Sequence, residues 1–121
     1  DESLCQTTTS GTSWGGDGDD FIVGADSDDY GNVYLIGETI SSDYASSSQD
    51  IFIFKLNSDL EIQWGKSWGG TKTEYATAVS VNKDSNTEVY FSGYTNSPAL
   101  IYAKEDSFIV KMDSDGNVAW Q

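Results

Sequence analysis

Apolar residues recur at every second position along this chain in short runs, and each run is closed by a cluster of Gly, Asp, Asn or Ser. That period predicts strands separated by turns. Eight runs qualify: "DFIVGA" (20–25), "VYLIGE" (33–38), "DIFIFKL" (50–56) and "EIQW" (61–64), then "EYATAVSV" (74–81), "VYFSGY" (89–94), "DSFIVKM" (106–112) and "NVAW" (117–120). In the third run Phe52, Phe54 and Leu56 share one face and Ile51 and Ile53 the other, so this strand is expected to be covered on both sides. Its counterpart sets Phe108, Val110 and Met112 against Ile109. In the fifth run Tyr75, Thr77, Val79 and Val81 are expected on one face, with Ala76 and Ala78 on the other. The stretches "DDYGN" (28–32), "NSDL" (57–60), "DSNTE" (84–88) and "DSDGN" (113–117) read as hairpin turns. No segment carries a 3.6-residue period, so essentially no helix is expected.

The runs repeat. "SWGG" occurs at 13–16 and again at 67–70, and one constant offset carries Trp14 onto Trp68, Asp20 onto Glu74 and Phe21 onto Tyr75. After two inserted residues, a second offset carries Val33–Gly37 onto Val89–Gly93, Thr39 onto Thr95, Asp50 onto Asp106, Lys55 onto Lys111 and Trp64 onto Trp120. The chain therefore reads as an N-terminal extension, 1–12, followed by two units, 13–66 and 67–121. Four antiparallel strands per unit of roughly 55 residues describe a propeller blade, so the expected fold is all-β, built from two tandem β-propeller-blade-like repeats. Trp14, Trp64, Trp68 and Trp120 recur at fixed places in the copies and are expected to be structural. The glycine pair after Trp14 and Trp68 is expected to permit a tight turn.

The series W-G-G, acid-aromatic, G-N-V-Y-x-x-G-x-T, D-x-F-x-x-K and D-G-N-x-x-W resembles the seven-bladed β-propeller repeat family (SBBP-type repeats) of surface and secreted proteins. The resemblance covers about residues 13 to 121. It implies a structural motif and no catalytic residue. Leu60, where the second copy has Gly116, and "DSNTEVY" in place of "DxxGNVY" depart from the pattern.

Composition narrows the partners. Six basic residues against twenty acidic ones give a formal charge of −14, which repels nucleic acid and anionic lipid alike. No apolar run approaches the roughly 18 residues of a spanning helix, so membrane insertion is not expected. The opening "DESLC" is too polar for a signal peptide. The absence of histidine removes the commonest general base and the imidazole triads. Cys5 is the single cysteine and forms no internal disulfide. The Ser-, Thr-, Asp- and Gly-rich composition points to an extracellular or cell-surface protein.

Acidic clusters at 17–20, 26–29 and 113–117 offer oxygen ligands for a hard cation such as Ca²⁺, with Asp113, Asp115 and Asn117 the best candidate set. The same pentapeptide also reads as an ordinary hairpin turn. Acid pairs are too abundant to mark a glycosidase site, and the chain is not expected to be an enzyme.

Closed propellers have about four to eight blades, so two copies leave apolar faces that need cover. The expected function is therefore that of a structural, self-assembling extracellular subunit, a homo-oligomer built head to tail into a ring or filament. Residues 1–12 read either as a tail or as an exchanged strand that brings Leu4 and Cys5 to a neighbouring subunit, and their Thr/Ser cluster suits O-linked glycans. Leu100, Ile101 and Tyr102 are too apolar for a loop tip; they either fold back on their own blade or bury in a partner. Trp120 stands at the C-terminal edge. The alternative is a carbohydrate- or protein-binding surface module that uses Tyr30, Tyr44, Tyr94 or Tyr102.

Overall fold

A computed structural model describes residues 13–42, 45, 48–84, 86–97 and 105–120. Strands β1 (Asp20–Ser27), β2 (Val33–Thr39), β3 (Asp50–Leu56) and β4 (Ile62–Trp68) form one four-stranded antiparallel sheet in chain order. Strands β5 (Glu74–Asn82), β6 (Glu88–Thr95), β7 (Asp106–Asp113) and β8 (Val118–Trp120) form a second sheet of the same kind. There is no helix among the described residues. The protein is thus all-β, with two successive four-stranded sheets consistent with tandem blade-like repeats. Strand β4 continues through Ser67 and Trp68, so the second "SWGG" begins inside the first sheet.

Three of the four short hairpins, β1–β2, β3–β4 and β7–β8, turn on the same local chemistry. At the head of each, an Asp or Asn oxygen accepts two backbone amides: Asp28 takes Tyr30 and Asn32, Asn57 takes Asp59 and Glu61, and Asp113 takes Asp115 and Asn117. The residue in the fourth place is left-handed each time: Gly31 (φ 84°), Leu60 (φ 63°) and Gly116 (φ 82°). This is a three-residue hairpin loop whose last residue needs positive φ, and an Asx side chain pins it. In the β5–β6 connection the two additional residues of the second copy lengthen the loop after Asn82.

The two sheets pack face to face. Tyr34, Ile36, Ile51 and Ile53 of the first meet Ala76, Val81, Val89, Phe91, Val110 and Met112 of the second, with Trp64, Trp68, Val79 and Phe108 packed around them. Burying each large apolar side chain contributes about 1.5–3 kcal/mol, so this interface is the main cohesive element of the molecule.

Two expectations about faces need correction. Strand β5 is bulged between Ala76 and Ala78, which sets Thr77 outside the ladder. Ala76 therefore joins Val79 and Val81 on the core side, and Tyr75 pairs with Tyr94 on the opposite face. A bulge inserts one residue and inverts the alternation beyond it, which a strict period of two does not register. The same bulge occurs in β1 between Ile22 and Gly24. Coverage differs as well: β3 is buried on both faces, whereas β7 is covered on one, leaving Ile109 49% exposed.

Candidate functional site

At the loop end of each sheet, an acid organises the chain that leads into the first strand. The Gly16 amide donates to Asp20, and the Gly70 amide donates to Glu74. Ser41 donates to Asp20, while Ser97 and Thr95 donate to Glu74. The backbone amides of Ser41 and Ser97 in turn donate to Thr39 and Thr95. Burial pushes the Asp20 carboxyl up, but the donors Thr39, Gly16 and Ser41 together outweigh it and hold it below the usual carboxylate range. Here "SWGG" finds its explanation. A Cβ on Gly15 would crowd Asp20, and one on Gly69 would overlap Asp50 and crowd Glu74, so the first glycine of each pair admits a carboxylate. Neither pair is left-handed, since among the described glycines only Gly31 and Gly116 have positive φ; what the first glycine of each pair supplies is room for the acid.

At the opposite end, the acids proposed for a cation serve the turns. The Asp113 carboxylate accepts the Asp115 amide and both the amide and side chain of Asn117. Those donors, Asn117 first, hold the Asp113 carboxyl below its ordinary value. Asp28 has the same role, accepting Asn32, Tyr30 and, at 3.3 Å, the Tyr34 hydroxyl. Burial, with Asp28 beside it, pushes the Tyr34 phenol far above its ordinary value. In the 17–20 cluster, Asp17 accepts the amide and hydroxyl of Ser42. No group of three His, Cys, Asp or Glu side chains is placed to hold a metal ion among the described residues.

Across the joint between the sheets lies a set of polar contacts that the sequence reading missed. The Val81 amide donates to Asp26 at 2.8 Å, and the Ala76 amide donates to Glu38 at 2.9 Å. Both amides belong to β5, the edge strand of its sheet, where one side of the strand has no ladder partner. Lys55 and Trp64 Nε1 donate to the Ser114 carbonyl at 3.1 and 3.0 Å, and Lys66 donates to the Gly116 carbonyl. Gln49 accepts the Glu74 amide and returns its side-chain amide to the Glu74 carbonyl. One signal in the sequence was available: Asp26 and Glu38 are charged residues within otherwise apolar runs.

The two outer faces differ in character. On the first sheet, Leu35, Phe52, Phe54, Leu56 and Ile62 line an apolar depression of about 400 Å³, flanked by Trp14 and by Phe21 and Ile22. Phe21 and Ile22 are 60% and 65% exposed. Trp14 lies 4.4 Å from the rings of both Phe52 and Phe54. This face is the counterpart of the one the second sheet buries against the first. Leu35 corresponds to Phe91, Phe52 to Phe108, Phe54 to Val110, Leu56 to Met112, and Trp14 to Trp68, which packs on Phe108 at 4.1 Å. The outer face of the second sheet presents Tyr90, Ile109, Lys111 and Trp120, with Lys111 paired to Glu88 at 2.8 Å and Trp120 45% exposed.

Among the tryptophans named from sequence, Trp14, Trp64 and Trp68 are half-buried packing residues. Leu4, Cys5, Tyr44, Leu100, Ile101 and Tyr102, with the proposed exchanged strand at 1–12, lie outside the described residues. Tyr94 stacks on Tyr75 at 4.6 Å, and Tyr30 is 72% exposed. The chain matches no family model and no curated protein.

Proposed function

We propose that this chain is a structural subunit that stacks blade on blade, the outer face of its first sheet receiving the outer face of the second sheet of another copy. One observation carries the reading: the outer face of the first sheet, where Trp14 packs over the buried Phe52 and Phe54 and Phe21, Ile22 and Ile62 remain exposed, corresponds by position to a face that the same chain buries in its own interior. A surface of that kind in water favours a partner of matching shape. The contact is head to tail, so it propagates to a ring or a filament. The secreted-type composition and the SBBP-like motif series support an extracellular or cell-surface setting, and no catalytic role is assigned.

Multi-angle light scattering over a concentration series, followed by negative-stain microscopy, tests this. Species well above 13.2 kDa are expected, with rings or filaments at high concentration. Ile22→Asp and Ile109→Asp, each at an exposed position on one of the two faces, are expected to return the protein to monomer. A monodisperse monomer at every concentration would overturn the reading.

A second reading is favoured by one feature. Tyr30 lines a polar cavity of about 410 Å³ together with Asp28, Asn32, Asn86 and Thr87, a combination of aromatic and amide groups of the kind that binds a sugar ring. Glycan-array binding that is lost in Tyr30→Ala would favour that surface-module role.

A further inference from the structure

The joint inside the chain is a template for the joint between copies, because the first-sheet residues Tyr34, Ile36, Ile51, Ile53, Lys55 and Trp64 have counterparts in position on the second sheet. Lys55 and Trp64, which hold the Ser114 carbonyl, correspond to Lys111 and Trp120. The carbonyl these would meet on another copy is that of Ser58, the counterpart of Ser114. The environment of the pair is repeated too: Lys55 lies 5.7 Å over the Tyr34 ring, and Lys111 lies 5.9 Å over the Tyr90 ring.

The two carboxylates are not repeated. Register places Asp26 opposite Tyr34 and Ser80 opposite Tyr90, so Ser80 stands where the first sheet has Asp26. In the same way Tyr94 stands where the first sheet has Glu38. The edge amides that such carboxylates would reach on a neighbouring copy are those of Ser27 and Ile22, the counterparts of Val81 and Ala76. The Ser27 amide already donates to Asp26 of its own strand at 2.9 Å, which leaves Ile22 as the edge amide for a clasp.

Resting on the assembly reading above, we infer that the joint between copies is the internal joint with its carboxylate clasps omitted, and that Tyr94 is the position that keeps it reversible. The internal joint combines an apolar core, the Lys55, Trp64 and Lys66 bonds to carbonyls, the Gln49–Glu74 pair and two carboxylate-to-amide bonds. The external joint keeps an apolar face and the Lys111–Trp120 pair, without the two carboxylates. Hydrogen bonds to a charged acceptor are about twice as strong as neutral ones, so their omission separates a permanent contact from an exchangeable one.

The test restores the clasp. Dissociation constants for the full chain are measured by sedimentation equilibrium in about 0.5 M salt, where the Debye length falls to a few ångströms and repulsion between the acidic copies is screened. Tyr94→Glu is expected to tighten association about tenfold or more, the scale of one hydrogen bond to a charged group. Combining it with Ile22→Pro, which removes the receiving amide at an edge bulge that tolerates proline, is expected to abolish that gain relative to Ile22→Pro alone. Should Tyr94→Glu lower the melting temperature by losing the Tyr75 stack, Tyr94→Gln supplies a neutral acceptor and a smaller gain in the same direction. Association of the unmodified chain with no gain in either variant would overturn the inference and leave the assembly reading standing. A monomeric parent would overturn the assembly reading and, with it, the inference that rests on it, even where the Tyr94→Glu variant associates. Failure of every variant to associate would overturn both.

Discussion

The Val81 amide, on the edge strand of the second sheet, donates to the carboxylate of Asp26 in the first at 2.8 Å. This bond is the foremost reason the Asp26 carboxyl lies below its ordinary value; the Ser27 amide and Lys83, at 3.8 Å, act in the same direction, against partial burial. A charged residue inside an apolar strand thus has a definite use, which is to satisfy a backbone donor that the neighbouring sheet cannot pair.

Asp26→Asn is expected to lower stability by about 1 kcal/mol at pH 7, part of the roughly 1.5–3 kcal/mol of a hydrogen bond to a charged group, because the amide oxygen can still accept. Because the folded-state pKa is depressed, the stabilisation is fully present above the unfolded value near pH 4 and is lost as pH falls through the folded value. Urea unfolding at pH 7 and near pH 3 should therefore show parent and variant converging in acid. A gap that persists unchanged at low pH would contradict this account.

Leu60 occupies a left-handed position that Gly31 and Gly116 fill elsewhere. The conformation costs an L-residue roughly 1–2 kcal/mol, part of which glycine gives back through the entropy of the unfolded chain. Leu60→Gly is expected to raise stability by about 0.5–1 kcal/mol, read as a higher melting temperature. Gly116→Ala, the mirror substitution, is expected to lower it.

Gly37 and Gly93 lie under aromatic rings. A Cβ at Gly37 would overlap the Phe21 carbonyl and the Phe52 ring, and one at Gly93 would overlap the Tyr75 carbonyl and crowd Phe108. Neither carbonyl can move without breaking its strand pairing, so each alanine variant is expected to cost about 3 kcal/mol or more. Thermal unfolding of Gly37→Ala close to that of the parent would show that the ring and strand yield more easily than close packing allows.

The oxygens of Asp113 are already engaged by the turn they cap. Millimolar Ca²⁺ and excess EDTA are both expected to leave the melting temperature unchanged, and Asp113→Ala is expected to lower it by about 1 kcal/mol through loss of the turn cap. A rise on adding Ca²⁺ that disappears in Asp113→Ala would return these residues to a cation-binding role.

Much of the fold was legible because its signals are local. The period of two in Val33–Thr39 and Asp50–Leu56, the Asx-to-Gly turns at Asp28 and Asp113, and the recurrence of "SWGG" each lie within a few residues of one another. The bulges at Val23 and Thr77 were not legible. Their local sequences continue the alternation, and only pairing with β2 and β6 shows the inserted residue. The glycine pairs were visible but their contact with the acids was not, since Asp50 and Glu74, which crowd Gly69, come from two different strands.

The sequence by itself determined the strand order, the hairpin turns, the tandem repeat and the acidic, histidine-free chemistry, because each depends on neighbours along the chain. Only the tertiary structure decided which carboxylates clasp an edge amide, which apolar face is buried and which meets water. Those outcomes depend on residues brought together across the sheet joint: Asp26 with Val81, Glu38 with Ala76, and Trp64 with Ser114. Such contacts form when an apolar surface must be removed from water and unpaired backbone groups must be satisfied together, and no local pattern encodes that joint requirement.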